Sequence, residues 1–186
     1  MRYHDITKDD MNNGDGLRIT LWVSGCENKC RGCQNPQTWD PMSGIEFDEN
    51  AKNELFSLLG RDYISGLTLT GGDPLYPGNR EDVFNLLREY KESFSTKNVW
   101  LYTGYLWENI KDLEIMQLVD IVVDGPFEEE LKDVSLCWKG SSNQRVIDVR
   151  RSLASGDVII HCDDHYTVLN PESIHGSSKT GVPSMY

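Results

Sequence analysis

Three cysteines crowd one short loop, Cys26, Cys30 and Cys33, in the run Gly25-Cys-Glu-Asn-Lys-Cys-Arg-Gly-Cys33. Their spacing is C-x3-C-x2-C, and no fourth cysteine follows nearby. Three thiolates can ligate three irons of a cubane 4Fe–4S cluster and leave the fourth iron without a protein ligand. An iron of that kind can bind a small molecule and pass it an electron, so the loop reads as a reaction centre. The structural alternative is zinc, which wants four ligands, commonly two C-x2-C-like pairs. Cys30 and Cys33 would make one pair, but Cys137 and Cys162 do not make a second, and His4, His161, His165 and His175 are all distant in sequence. Spacing favours iron–sulfur, and Cys137 and Cys162 read as buried small apolar residues.

Three further stretches carry chemistry-bearing residues. In Gly71-Gly72-Asp73-Pro74, two glycines allow a sharp turn and close backbone approach to a ligand, and the Asp73 carboxylate can accept charge-assisted hydrogen bonds from an ammonium group. The bland reading of the same tetrad is an ordinary turn. Thr103 and Asp124 are small polar groups at the ends of apolar runs, where they could meet a ligand or simply cap a helix. Gly140-Ser-Ser-Asn-Gln-Arg145 could offer backbone N–H groups and a guanidinium to a carboxylate or a partner, or be a solvated loop.

The elements that must position these groups alternate between strand and helix. Strands are predicted over 17–23, 66–70, 98–103 and 120–124, with shorter ones over 145–149 and 157–161. Helical spacing covers 49–59, with Asp48 as N-cap and Gly60 as stop, then 81–94 and roughly 106–118. Repeated βα units predict an α/β fold with a mainly parallel sheet, too short for a closed eight-stranded barrel and so an open or partial, incomplete βα barrel. Every unusual loop follows a strand, at the carboxyl end where α/β sheets bind ligands. Residues 1–165 read as a single domain, and 166–186 as a polar, loosely attached tail.

The chain has 186 residues and a formal net charge of −12, which disfavours nucleic acid because only Arg145, Arg150 and Arg151 form a basic patch. No apolar run approaches the ~20 residues of a membrane span. An odd cysteine count and the absence of an N-terminal apolar stretch suit a reducing, cytoplasmic location.

Taken together, these motifs resemble those of radical S-adenosylmethionine (SAM) enzymes, and specifically the activating proteins of anaerobic ribonucleoside-triphosphate reductase. The matching stretches are Thr20–Cys26, Cys30–Asp40, Gly66–Leu75, Val99–Tyr105, Val123–Phe127 and Gly140–Asp148, in the expected order over about residues 14–150. Three departures stand out. Asn28 occupies a position where the family usually has His, Asp73 replaces a frequent Glu, and Gly32 precedes the third cysteine where many superfamily members have an aromatic residue. The resemblance implies a 4Fe–4S cluster on Cys26, Cys30 and Cys33, with SAM chelating the open iron. Gly71, Gly72 and Asp73 would bind its methionyl end, and Thr103 and Asp124 would supply further contacts. It implies reductive cleavage of SAM to a 5′-deoxyadenosyl radical and formation of a glycyl radical on the partner reductase, with no side chain acting as general base. A flavodoxin-like or other low-potential protein would donate the electron. Trp39, Trp107 and Trp138 are candidate interface aromatics, with core packing the alternative use. Other functions to weigh are a small radical SAM enzyme acting on a purine-like substrate and a zinc-stabilised binding module.

Overall fold

The computed structural model describes residues 1–162, so the predicted tail lies outside the described residues. Its elements are β1 (Arg2–Asp10), β2 (Arg18–Val23), β3 (Ile45–Glu46), α1 (Glu49–Leu59), β4 (Gly66–Gly71), α2 (Arg80–Ser93), β5 (Asn98–Tyr102), α3 (Trp107–Ile110), β6 (Ile121–Asp124), β7 (Arg145–Asp148) and α4 (Val149–Ser155). Seven strands form one sheet in the order β3-β1-β2-β4-β5-β6-β7, and it does not close on itself. The predicted strands β2, β4, β5 and β6 are its parallel centre. β1, β3 and β7 flank them in antiparallel pairing.

Alternation along the central strands assigns a job to each face. Ile19, Leu21, Leu67, Leu69, Val99 and Leu101 are buried on one face, against Leu55 and Leu59 of α1 and Val83 and Leu87 of α2. The opposite face carries Arg18, Thr20, Trp22, Thr68, Thr70, Trp100 and Tyr102. β2 and β4 are therefore half apolar and half polar, while Trp100 of β5 and Ile121 and Val123 of β6 form a smaller apolar cluster with Val146 on the otherwise polar face; α1 and α2 pack on the apolar side alone. The helix signals behaved as expected at α1, where the Asp48 carboxylate accepts the Ala51 N–H at 2.9 Å and Gly60 ends the helix.

Arg18 is fully buried on the polar face. Its Nε donates to Thr68 Oγ1 at 2.7 Å, and its Nη atoms donate to Asn98 Oδ1 and the Leu67 carbonyl, both at 2.7 Å. Burial draws its pKa down to about 10. The guanidinium lies 5.5 Å from the centre of the Trp100 ring and also donates to the Asp15 carbonyl at 3.0 Å. It thereby ties the loop between β1 and β2 to the sheet.

Three expectations need correction. The helix predicted over 106–118 is two short pieces, α3 and a 3-10 turn over Glu114–Leu118, because the backbone turns extended at Leu113 to pack that side chain on the core. Residues 157–161 make no strand and contribute only an isolated bridge from Ile160 to Ile147. β1 was not expected, since Arg2–Asp10 is mostly charged and polar; its pairing with β2 buries only Tyr3, Ile6 and Asp10. Among the described residues no helix is long and apolar enough to cross a membrane.

Candidate metal centre

β2 runs directly into the cysteine loop, which is held from beneath by the segment that follows it. The Gly25 N–H donates to the Thr38 carbonyl at 2.7 Å and the Cys26 N–H to the Trp39 carbonyl at 3.1 Å. Thr38 is buried, and its hydroxyl donates back to the Asn35 carbonyl at 2.7 Å. The Asn35–Asp40 motif is thus a backbone buttress for the loop. Cys26, Cys30 and Cys33 are free, half-buried, and line one cavity of about 750 Å³.

N–H groups converge on the sulfurs. The Asn35 N–H lies 3.4 Å from Cys33 Sγ, Asn28 Nδ2 lies 3.7 Å from Cys26 Sγ, and the Phe127 N–H, from the loop after β6, approaches Cys30. Burial lifts the Cys26 and Cys30 thiols above the ordinary range. A metal that displaces those protons gains thiolates already supplied with donors, which is how proteins support anionic iron–sulfur clusters. Three thiols, open cavity and surrounding N–H groups fit a 4Fe–4S cluster.

Cys137 and Cys162 are half-buried rather than buried: Cys137 belongs to a strap over 134–139 that crosses the polar face of the sheet, and Cys162 packs against the Trp100 cluster on that face. Cys137 lines the same cavity, and its carbonyl is 4.0 Å from Cys162 Sγ. Trp138 anchors the strap: its Nε1 donates to Asp15 Oδ1 at 3.0 Å, and its ring packs edge-on against Trp100. Trp107 is buried in the core.

The Gly-Gly-Asp turn sits against the cysteine loop backbone to backbone. The Gly72 N–H donates to the Val23 carbonyl at 2.7 Å and the Asp73 N–H to the Gly25 carbonyl at 2.8 Å. A Cβ on Gly72 would come within 2.6 Å of the Gly25 oxygen, so only glycine permits this approach. Asp73 is only 2% exposed. Its carboxylate accepts the Leu75 N–H at 2.9 Å, the Gly104 N–H at 3.0 Å, the Thr103 hydroxyl at 2.9 Å and an Asn28 N–H at 3.3 Å. Burial pushes its carboxyl up, and these donors pull it partly back.

Gly71, Gly72, Asp73 and Thr103 join the three cysteines on the cavity wall. Asp124 stands apart. It is fully buried, accepting Arg145 Nε at 3.0 Å, Arg145 Nη2 at 2.5 Å and the Trp107 N–H at 2.7 Å. Arg145 also bridges to Glu108 at 3.0 Å. The 140–145 run is an internal brace, in which Gln144 Oε1 accepts the Gly140 and Ser141 N–H groups and its Nε2 donates to the Gly125 carbonyl.

Several lining residues lie outside the candidate site set: Asn12, Asn13, Trp22, Thr70, Tyr102 and the strap. Strand alternation held the signal for three of them, since Trp22, Thr70 and Tyr102 are the polar-face residues nearest the carboxyl ends of β2, β4 and β5. The Tyr102 hydroxyl is buried and has no protein partner among the described residues, so it is available to a ligand.

The sequence is similar to those of known proteins. A family model described as a 4Fe-4S single cluster domain matches residues 12–147. The chain is 49% identical over 146 residues to the anaerobic ribonucleoside-triphosphate reductase-activating protein of Enterobacteria phage T4, covering 78% of this chain and 93% of that protein. It is 39% identical over 154 residues to the protein of that name in Escherichia coli K12, covering 81% of this chain and all of the relative, and 39% identical over 150 residues to that of Pasteurella multocida. With a matching 4Fe–4S domain over most of its length and relatives of this identity, the chain belongs to the family of anaerobic ribonucleoside-triphosphate reductase-activating proteins.

Proposed function

We propose that this protein is a radical SAM activating enzyme that installs a glycyl radical on an anaerobic ribonucleoside-triphosphate reductase. The carrying observation is the convergence of Cys26, Cys30 and Cys33 with Gly71, Gly72, Asp73 and Thr103 on one open cavity. Cys26, Cys30 and Cys33 would hold the cluster. Bound there, cluster and SAM supply a one-electron reductive cleavage of the sulfonium and the radical that removes a glycine hydrogen.

The chain's own residues bind, orient and shield. The glycine turn presents backbone close to the cysteine loop, which suits the amino and carboxylate ends of a methionyl group. Asp73 is already satisfied by four neighbours, so its part in this reading is to shape the wall and give it negative charge facing an ammonium. Thr103 fixes that carboxylate. Asp124, paired to Arg145, would act on the site only through the loop after β6. The Tyr102 hydroxyl and the Trp22 ring offer a polar contact and a stacking surface to the nucleoside part.

The central parallel strands carry all of these loops at their carboxyl ends, which supports reading the open sheet, with residues 1–165 as one domain, as a partial βα barrel. Its unclosed side would admit the glycine-bearing loop of the reductase. A low-potential protein such as a flavodoxin would supply the electron.

The test is anaerobic. The reconstituted protein is incubated with SAM and a reductant, with and without the reductase, and followed by electron paramagnetic resonance. A glycyl doublet only in the complete mixture, with methionine and 5′-deoxyadenosine as products, is the expected result. Absence of iron and sulfide after reconstitution, or turnover of a small molecule with no reductase present, would overturn the reading.

A further inference from the structure

Asn28 stands between two groups on which the site depends. Its Nδ2 lies 3.7 Å from Cys26 Sγ and 3.3 Å from an Asp73 carboxylate oxygen. Both neighbours are acceptors once the thiol is deprotonated, so the NH2 end of the amide must face them. Gly104 leaves the room: a Cβ there would come within 2.1 Å of Asn28 Nδ2. The backbone N–H groups of Asn28 and Lys29 also approach the Cys26 sulfur, and Lys29 holds a left-handed φ of 45° to aim its own. The backbone and side chain of one short turn thus surround a single sulfur with donors.

We propose that Asn28 is a positioning residue that tunes the cluster, its carboxamide donating one N–H to the Cys26 thiolate and the other to Asp73. The inference rests on the cluster reading above. An N–H donated to a ligand sulfur draws electron density from it and stabilises the reduced, more negative cluster, which raises its potential. The same amide separates two anions, the Cys26 thiolate and the Asp73 carboxylate, that would otherwise face each other unscreened. Removing the donor makes the cluster harder to reduce. Replacing it with a carboxylate of the same shape does so more strongly, because a third negative charge joins the pair.

The experiment is a reductive titration of the reconstituted full-length chain, followed by electron paramagnetic resonance, for wild type, Asn28→Ala and Asn28→Asp. Iron and sulfide are counted for each. Both variants are expected to load the cluster and to titrate at more negative potential, Asp below Ala. At the potential where half of the wild-type clusters are reduced, about one in ten or fewer should be reduced in Asn28→Asp, a tenfold shift in a one-electron equilibrium. Wild-type potential in the loaded variants would overturn the proposal and leave the activase reading intact. An Asn28→Ala chain that fails to load would also overturn it, since a group that tunes a cluster is not needed to hold it; if only Asn28→Asp fails to load, the Ala variant decides. A wild type that binds no iron–sulfur cluster would remove both readings together.

Discussion

The Thr103 hydroxyl sits within 2.9 Å of one Asp73 oxygen and 3.1 Å of the other, at the ends of two adjacent parallel strands. One threonine at the end of β5 therefore fixes the carboxylate that closes β4's glycine turn. Thr103→Val keeps the shape and removes the donor. It should destabilise the fold by about 1–3 kcal/mol, the cost of leaving a buried acceptor short of a partner, measured by urea unfolding. It should also weaken SAM binding by moving the wall. Unchanged stability together with unchanged SAM affinity would show that the contact does neither.

Cys137 shares the cavity with the three loop cysteines, which makes the ligand set a direct question. Cys30→Ala is expected to lose most of the bound iron and sulfide while helical circular dichroism stays near wild type. Cys137→Ala is expected to keep the full complement of iron and the response of the spectrum to SAM. Loss of iron on changing Cys137 would mean that the fourth metal corner is taken.

Asp124 tests whether a buried carboxylate near the site serves ligand or frame. Asp124→Ala would leave the Trp107 N–H without its partner and Arg145 with only its Glu108 contacts. The expected loss of stability is about 3 kcal/mol, the low end for a broken buried pair, because Arg145 keeps some contact with water. SAM affinity of the folded fraction should change less than threefold. A tenfold loss of affinity at full folding would return Asp124 to the binding site.

The Glu108–Arg145 pair gives a pH signature. Hydrogen bonds from Arg145 hold the Glu108 carboxyl below its usual range. A carboxyl whose pKa is depressed by folding lends stability at pH values above its unfolded pKa and loses it as pH falls through the folded one. Glu108→Gln should therefore be less stable than wild type at neutral pH, within the ~0–1 kcal/mol of an exposed pair. The two unfolding curves should converge as the solution is acidified through and below the ordinary glutamate range. A gap that stays constant with pH would mean that charge is not what the pair contributes.

The central sheet was readable because a glycine ends β4 or follows within two residues of β2, β5 and β6, and because β2 and β4 alternate while β5 and β6 are apolar runs. Leu67-Thr-Leu-Thr70 and Val99-Trp-Leu-Tyr102 announce both their pairing and, on inspection, the face that meets the cavity. β1 was not readable: Arg2–Asp10 resembles a solvated segment until β2 pairs with it. The strap was hidden for another reason. Val134–Lys139 has no period of its own, and Trp138 is placed by Asp15 and Trp100, residues far away in the chain. At the site, the cysteines and the glycine turn carried local signatures. The part played by Asn28 did not, since it depends on β4 bringing Asp73 to the opposite side of the same amide.

The two peptide hydrogen bonds from Gly72 and Asp73 to Val23 and Gly25 join the turn after β4 to the entry of the cysteine loop with no side chain between them. On the proposed reading, metal holder and ligand holder would then be one jig joined through main chain. A disturbance that shifts the first would carry the second along, so the gap across which an electron would pass is set first by main-chain geometry.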